Sequence, residues 1–312
     1  MKKDDAIYVA GHRGMVGSGL IGYFDANGYT NVLTASRAEV DLRNQHQVAD
    51  FIKENKPDYV FLAAAKVGGI QANINSPAEF LYDNLCIQNN VINSSYLSGV
   101  KKLIYLGSSC IYPRDCPQPM KEEYMLTGSL EPTNEGYAIA KIAGLKMLEA
   151  YKHQYGFDSL NLMPCNLYGT NDHYDSTNSH VLTALVKRFV DAVDDGVIKV
   201  VMWGNGSSRR EFMHISDFIR AVFFLIEKWP ISEMINVGTG EDVSIKELAE
   251  MIGEKTNYRG SMVWDTSKAD GMPRKCLDIS RLNSLGFKSS VSLEEGIEKT
   301  IAEYKTLKQL AI

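Results

Sequence analysis

Tyr137 and Lys141 stand four residues apart in Tyr-Ala-Ile-Ala-Lys. On a helix that spacing puts both side chains on one face. An ammonium beside a phenol stabilises the phenolate, so Lys141 is expected to pull Tyr137 down from its ordinary pKa of about 10. Tyr137 then becomes a usable acid or base toward a substrate oxygen. Ser108, in Leu106-Gly107-Ser108-Ser109, can hydrogen-bond the same oxygen. Cys110 follows two residues later. A thiol with an ordinary pKa of about 8.5 carries protons once a cation or a ligand dipole lowers it. The plain alternative for Cys110 is a small buried hydrophobe.

These side chains need a frame. Apolar runs at 7–10, 31–35, 58–64, 102–106 and 159–163 alternate with helical patterns at 16–26, 45–54, 77–98 and 136–155. Strand–helix alternation means βαβ units and a parallel sheet. The predicted fold is therefore α/β, a Rossmann-type doubly wound parallel sheet followed by a smaller α/β C-terminal substrate domain. Residues 1–170 form the nucleotide domain, with a returning segment near 211–236, and 171–312 are mainly substrate-binding. Two later helices, 216–228 and 244–255, have Asp217 and Ser244 as expected N-caps.

Between the first strand and the first helix lies Gly11-His12-Arg13-Gly14-Met15-Val16-Gly17. Glycines in this GxxGxxG spacing permit a tight turn, let backbone N–H groups approach a pyrophosphate and let the helix pack closely on the strand. The context makes it a dinucleotide loop. After the second strand, where an NAD reader places an acid, this chain has Ala35-Ser36-Arg37. A guanidinium at Arg37 can fork onto a 2′-phosphate, which points to NADP(H). Asp41 follows and is a candidate neighbour of the adenine.

Of the 312 residues, 45% are hydrophobic and 23% charged, which excludes a disordered chain. The formal net charge of −5 excludes a general nucleic-acid binder, so any anionic ligand must be caught by local basic residues. Five scattered cysteines without a CxxC pair exclude a disulfide framework and a zinc ribbon, and suggest a reducing, cytoplasmic setting with no metal. The start mixes Lys and Asp before a short apolar run and does not read as a signal peptide. The longest apolar runs, such as 59–65, fall far short of the roughly 20 residues of a membrane helix, so no membrane partner is expected.

Several strings, taken together, resemble the extended short-chain dehydrogenase/reductase superfamily. They are the 11–17 loop, Pro57-Asp58-Tyr59-Val60-Phe61-Leu62-Ala63-Ala64, Asp83-Asn84, Ser108, the Tyr137–Lys141 pair and Asn166-Leu167-Tyr168-Gly169. Lys66-Val67-Gly68-Gly69-Ile70, the 106–113 string and Trp203-Gly204 followed by Arg209-Arg210-Glu211-Phe212 resemble one branch of it. That branch holds the NADPH-dependent epimerase–reductases of GDP-4-keto-6-deoxy-D-mannose. One departure is Thr170, where the superfamily usually has Pro. The resemblance implies proton transfer by Cys110 and a downstream histidine, and it places that histidine at His180, with His173 and His214 as rivals. It implies a cofactor site drawn from the 11–17 loop, Arg37, Asp41, Leu42, Leu106, Gly107, Ser109, Lys141, the string Pro164-Cys165-Asn166-Leu167, and His180. It implies a GDP-sugar held by Arg188, Trp203, Arg210 and Asp270, with Arg209 as the alternative to Arg210. A homodimer is the superfamily habit. Competing readings are a 4-reductase lacking epimerase activity, a UDP-sugar 4-epimerase that keeps NAD, which Arg37 argues against, and a non-catalytic NADP sensor.

Arg37 makes the first prediction. The unmutated protein should prefer NADPH to NADH, and Arg37→Ala should cost roughly tenfold in NADPH affinity while NADH binding barely changes. Titration calorimetry decides it; equal affinity for both cofactors in the unmutated protein overturns the reading.

Overall fold

The structure is a computed structural model that describes residues 1–174, 179–267 and 271–310. Asp270 lies outside the described residues. The first part runs β1 (Ile7–Ala10), α1 (Met15–Ala26), β2 (Val32–Leu33), α2 (Gln45–Asn55), β3 (Tyr59–Leu62), α3 (Ile70–Asn75), α4 (Pro77–Leu97), β4 (Lys102–Leu106), α5 (Glu135–Tyr155) and β5 (Ser159–Pro164). Then come β6 (Asn166–Tyr168), α6 (Val181–Asp194), β7 (Lys199–Trp203), β8 (Arg209–His214), α7 (Ile215–Lys228), β9 (Met234–Val237) and β10 (Asp242–Ser244). The chain ends with α8 (Ile245–Lys255), β11 (Ser261–Asp265), β12 (Arg274–Lys275), α9 (Ser280–Ser284) and α10 (Leu293–Leu310).

A six-stranded sheet has the order β2-β1-β3-β4-β5-β9, parallel at every pairing. Its strands read as continuous apolar runs because helices cover both faces; Ile7, Tyr8, Val9 and Ala10 are all buried. α1 packs on α7, while α2 and α5 pack on α4. The strand order reverses between β1 and β3, so the ligand crevice opens at the carboxyl ends of these strands. β9 adds to β5 after α7, so residues 215–237 rejoin this sheet.

A second apolar cluster gathers α6, α8 and α10 around β7 and β11. Leu182, Val186 and Phe189 form the buried stripe of α6, at the spacing a helix needs. Beside it, β6, β8, β10 and β12 form a small mixed ladder. The sequence reading named no strand at β6, β9, β10, β11 or β12; β6, β10 and β12, of two or three residues, carry too little periodicity to be read, and β9 and β11 are only four and five residues long. β2 is likewise shorter than the predicted 31–35.

The capping residues split. Ser244 forms a capping box with Glu247 at the start of α8, as expected. Asp217 does not cap α7. His214 does, accepting from the Ser216 N–H at 3.3 Å. Asp217 is instead buried, accepting from the N–H groups of Ser290 and Val291 at 2.7 and 2.8 Å, and thereby ties α7 to the segment before α10.

Glu211, fully buried in β8, joins the two parts. Its carboxylate accepts from the N–H groups of Thr239, Gly240 and Leu277 at 2.6, 2.7 and 2.8 Å, and burial pushes its pKa up to about 7. Glu211→Ala leaves these buried donors unpaired and should cost on the order of 3 kcal/mol or more. A loss below about 1 kcal/mol in urea unfolding would show that the three donors find other partners.

Candidate active site

The site begins where α5 meets the end of β4. The Lys141 ammonium is buried and donates to the Leu106 carbonyl at 2.7 Å. Burial lowers its pKa to about 8. α5 comes this close to β4 because position 144 is glycine; a methyl there would run into the Tyr105 hydroxyl and the Gln88 amide. One turn earlier Tyr137 comes beside Ser108, whose hydroxyl opposes the upward shift of the phenol. One expectation fails here. Tyr137 is not pulled down by Lys141: burial raises its pKa well above the ordinary value, and the Cys110 sulfur adds to the effect. The ammonium is turned to the Leu106 carbonyl, so desolvation wins. Tyr137 stands as a neutral phenol, a proton donor.

Cys110 lies in the short turn 109–111 after β4, where the Ser108 hydroxyl oxygen accepts from its N–H at 3.2 Å. Two donors converge on its sulfur, the Lys275 ammonium at 3.3 Å and the Asn134 amide at 3.2 Å. Burial pushes the thiol up, but these donors and Ser108 prevail and its pKa is lowered. His180 precedes α6 as its N-cap residue, and its Nδ1 lies 3.4 Å from the Asp172 carboxylate. That contact raises the His180 pKa. Asp172 is buried and also receives the Thr183 hydroxyl. His180, Ala184 and Arg188 recur every four residues and line one cavity, as one helix face must.

That cavity has a volume of about 1010 Å³ and runs from the β1 loop to β7. It collects Ser108, Cys110, Tyr137, Lys141 and His180 in one space. On the cofactor side it is lined by Gly11, Gly14, Met15, Val16, Arg37, Asp41 and Leu42. Leu106, Gly107, Ser109 and the string from Pro164 to Leu167 line it further on. His12, Arg13 and Gly17 are not in its wall, and the Nδ1 of His12 is buried without a hydrogen-bond partner. The loop fits a dinucleotide. Gly11 has φ +91°, and a methyl at Gly17 would run into the Gly11 carbonyl, so α1 needs both glycines to begin where it does. The first turn of α1 has no side-chain cap and no acidic residue, leaving its N–H groups to an anion. Arg37 is 72% exposed at the rim, 3.9 Å from Asp41. Asp41 is held by Arg43 at 2.7 Å, which keeps its carboxyl low, at about 2.

Arg188 donates to the Val201 carbonyl at 2.7 Å and lines the far end of the cavity with Trp203 and Arg210. The two neighbouring arginines of β8 diverge. Arg209 is engaged by Asp242 and Glu247, and Arg210 faces the cavity. Strand alternation sends adjacent side chains to opposite faces. Sequence reasoning missed Arg43, Asn134, Asp172 and Lys275. Only Asp172 had a usable signal, an acid directly after Tyr168-Gly169-Thr170-Asn171. The others reach the site from distant elements.

Residues 7–238 match the NAD dependent epimerase/dehydratase family. The chain belongs to this family. GDP-L-fucose synthase 1 of Arabidopsis thaliana is 51% identical over 97% of this chain and 94% of that protein. GDP-L-fucose synthase of Escherichia coli K12 is 46% identical over 94% of each. A solved GDP-mannoheptose C4 reductase of Campylobacter jejuni with NADP bound is 38% identical, with a TM-score of 0.89 over 98% of this chain and 99% of that one. In this family member the epimerase/dehydratase match ends at the last strand of the large sheet, so Arg188, Trp203 and Arg210 fall within it and Lys275 beyond it.

Because Asp172 holds the His180 proton, Asp172→Asn should lower the His180 titration midpoint toward its ordinary value of about 6.5. The imidazole then loses its charge at lower pH than in the unmutated protein. The His180 ring resonances, followed by NMR across pH, test this; an unmoved midpoint removes Asp172 from the argument.

Proposed function

We propose that the chain converts GDP-4-keto-6-deoxy-D-mannose to GDP-L-fucose by epimerising C3 and C5 and reducing C4 with NADPH. The observation that carries this is geometric: three proton carriers share one cavity, Cys110 with two N–H donors on its sulfur and His180 beside the Asp172 carboxylate. Cys110 is biased toward thiolate, His180 toward imidazolium and Tyr137 toward neutral phenol. Such separation assigns base, acid and donor.

A ketone at C4 acidifies the hydrogens at C3 and C5. In this reading the Cys110 thiolate takes the proton from one carbon and the His180 imidazolium returns one to the opposite face of that carbon; the thiol then passes its proton back to His180 through solvent, and the reset pair inverts the second carbon in the same way. Ser108 and Tyr137 donate hydrogen bonds to the C4 oxygen as it gains charge. NADPH, when bound, supplies the hydride for C4. Tyr137 gives its proton to the resulting oxygen, and Lys141 holds the cofactor ribose. The 11–17 loop and Arg37 receive the cofactor phosphates; the NADP-bound relative supports NADP(H) as cofactor. Arg188 and Arg210 take the substrate diphosphate, with Trp203 packed against the sugar or base.

The GDP-mannoheptose C4 reductase relative keeps a second reading in view, a 4-reductase without epimerase activity. Such an enzyme needs no partnered thiol, and here Cys110 has two donors on its sulfur. We further propose a division at about residue 170 into an NADP-binding and a substrate-binding part, and a cytoplasmic homodimer. The exposed Tyr82 and Leu97, on one side of α4, support a dimer contact through that helix. No helix among the described residues is long and apolar enough to cross a membrane.

Incubation with the 4-keto sugar in D₂O tests the reading. The unmutated enzyme should place deuterium at C3 and C5. Cys110→Ser should lose this exchange yet still reduce C4 slowly, giving an unepimerised 6-deoxy sugar. Tyr137→Phe should slow reduction by ~10²–10⁴-fold. Exchange at an undiminished rate in Cys110→Ser would return the thiol to a structural role.

A further inference from the structure

We propose that Lys275 is a positioning residue for this reaction: its ammonium is the counter-charge of the Cys110 thiolate, and the Asn134 amide fixes the sulfur's direction. The proposal rests on the reading of Cys110 as the base. Its starting point is geometric. A thiol has one hydrogen and is a weak acceptor, yet two N–H donors reach the same sulfur, at 3.3 Å from Lys275 and 3.2 Å from Asn134. That arrangement suits an anion and wastes two donors on a neutral S–H.

Lys275 is held in place on both sides. Arg274 pairs with Asp242 at 2.6 Å. Cys276 donates its N–H to Gln118 at 3.0 Å, and Leu277 donates its own to Glu211 at 2.8 Å. β12 pairs with β8, so Lys275 lies in register with Arg210. The counter-charge of a thiol at the end of the large sheet therefore comes from 165 residues further along the chain.

Among the described residues, the other groups around the sulfur do not supply that charge. Ser108, at the end of β4, offers a hydroxyl, and Tyr137, on α5, is a neutral phenol. Cys116 also feels Lys275, but burial pushes its thiol up, so it stays neutral. Glu131, which caps the 132–134 turn carrying Asn134, is occupied with Thr133 at 3.0 Å and Arg114 at 3.6 Å. Lys275 is thus the cation that opposes the desolvation of the thiolate.

The test uses the full-length protein. Alkylation of Cys110 by iodoacetamide is followed against pH, with the site mapped by mass spectrometry. Deuterium exchange at C3 and C5 of the 4-keto sugar is measured alongside. Lys275→Met should raise the alkylation midpoint by about one pH unit or more, which is roughly tenfold less thiolate at neutral pH. Exchange should fall in proportion, and the acidic limb of its pH profile should move up. Lys275→Arg should restore most of both. Asn134→Asp, which sets a carboxylate beside the sulfur, should raise the midpoint as well and serves if Lys275→Met fails to fold. An unmoved midpoint in folded Lys275→Met overturns the proposal. A raised midpoint with undiminished exchange overturns the reading of Cys110 as base, and the catalytic role of Lys275 with it.

Discussion

The buried hydrogen bond from Lys141 to the Leu106 carbonyl joins the long helix α5 to the end of β4. The rest of the site is laid out from that junction. An ammonium removed from water is costly, and here it has a carbonyl rather than a carboxylate for a partner, which is why its proton is loosened. The contact is possible only because α5 presents Gly144 to Tyr105 and Gln88. Once the helix is seated, Tyr137 stands one turn back from Lys141 and reaches Ser108 at the mouth of the crevice. Cys110 follows two residues on, in a turn capped by the same serine. A shift of α5 along the sheet would move the phenol, the ammonium and the cofactor wall together.

The proton carriers are separated by their surroundings. Tyr137 and Cys110 are both buried, and desolvation raises both. Two N–H donors reverse the sign for the sulfur, while for the phenol, whose ring centroid lies 5.8 Å from the Lys141 ammonium, burial wins. The His180 pKa is raised by the buried Asp172 carboxylate beside it. Desolvation alone would leave the thiol, the phenol and the imidazole all neutral. The directed partners push the thiol down and the imidazole up while the phenol stays raised, which is the separation the proposed base, acid and donor need.

Two of those partners, Asp172 and Lys275, come from the C-terminal half, and Glu211 is the joint that holds it to the large sheet. Three backbone N–H groups from the β9–β10 turn and from Leu277 end on one carboxylate. The same strand carries Arg210 into the cavity, and its neighbour β12 carries Lys275. Arg210, proposed to grip the substrate, and Lys275, proposed to oppose the thiolate, therefore sit on one small ladder.

The sequence by itself determined the local geometry. The GxxGxxG loop, the Tyr137–Lys141 spacing and the parallel strand–helix series all follow from fixed helical and strand periods acting over a few residues. Arg37 at the cofactor rim was legible for the same reason, as a position just after a strand. Tertiary structure decided the rest. It chose His214 over Asp217 as the cap of α7, because Asp217 had buried N–H groups near residue 290 to satisfy. It turned Arg210 rather than Arg209 into the cavity, and brought Lys275 and Asn134 to Cys110. It also reversed the expected state of Tyr137. Spacing says which side chains can meet, but a pKa depends on how much water is lost and where the nearest charge points. Both are set by contacts between segments far apart in the chain, which no local pattern records.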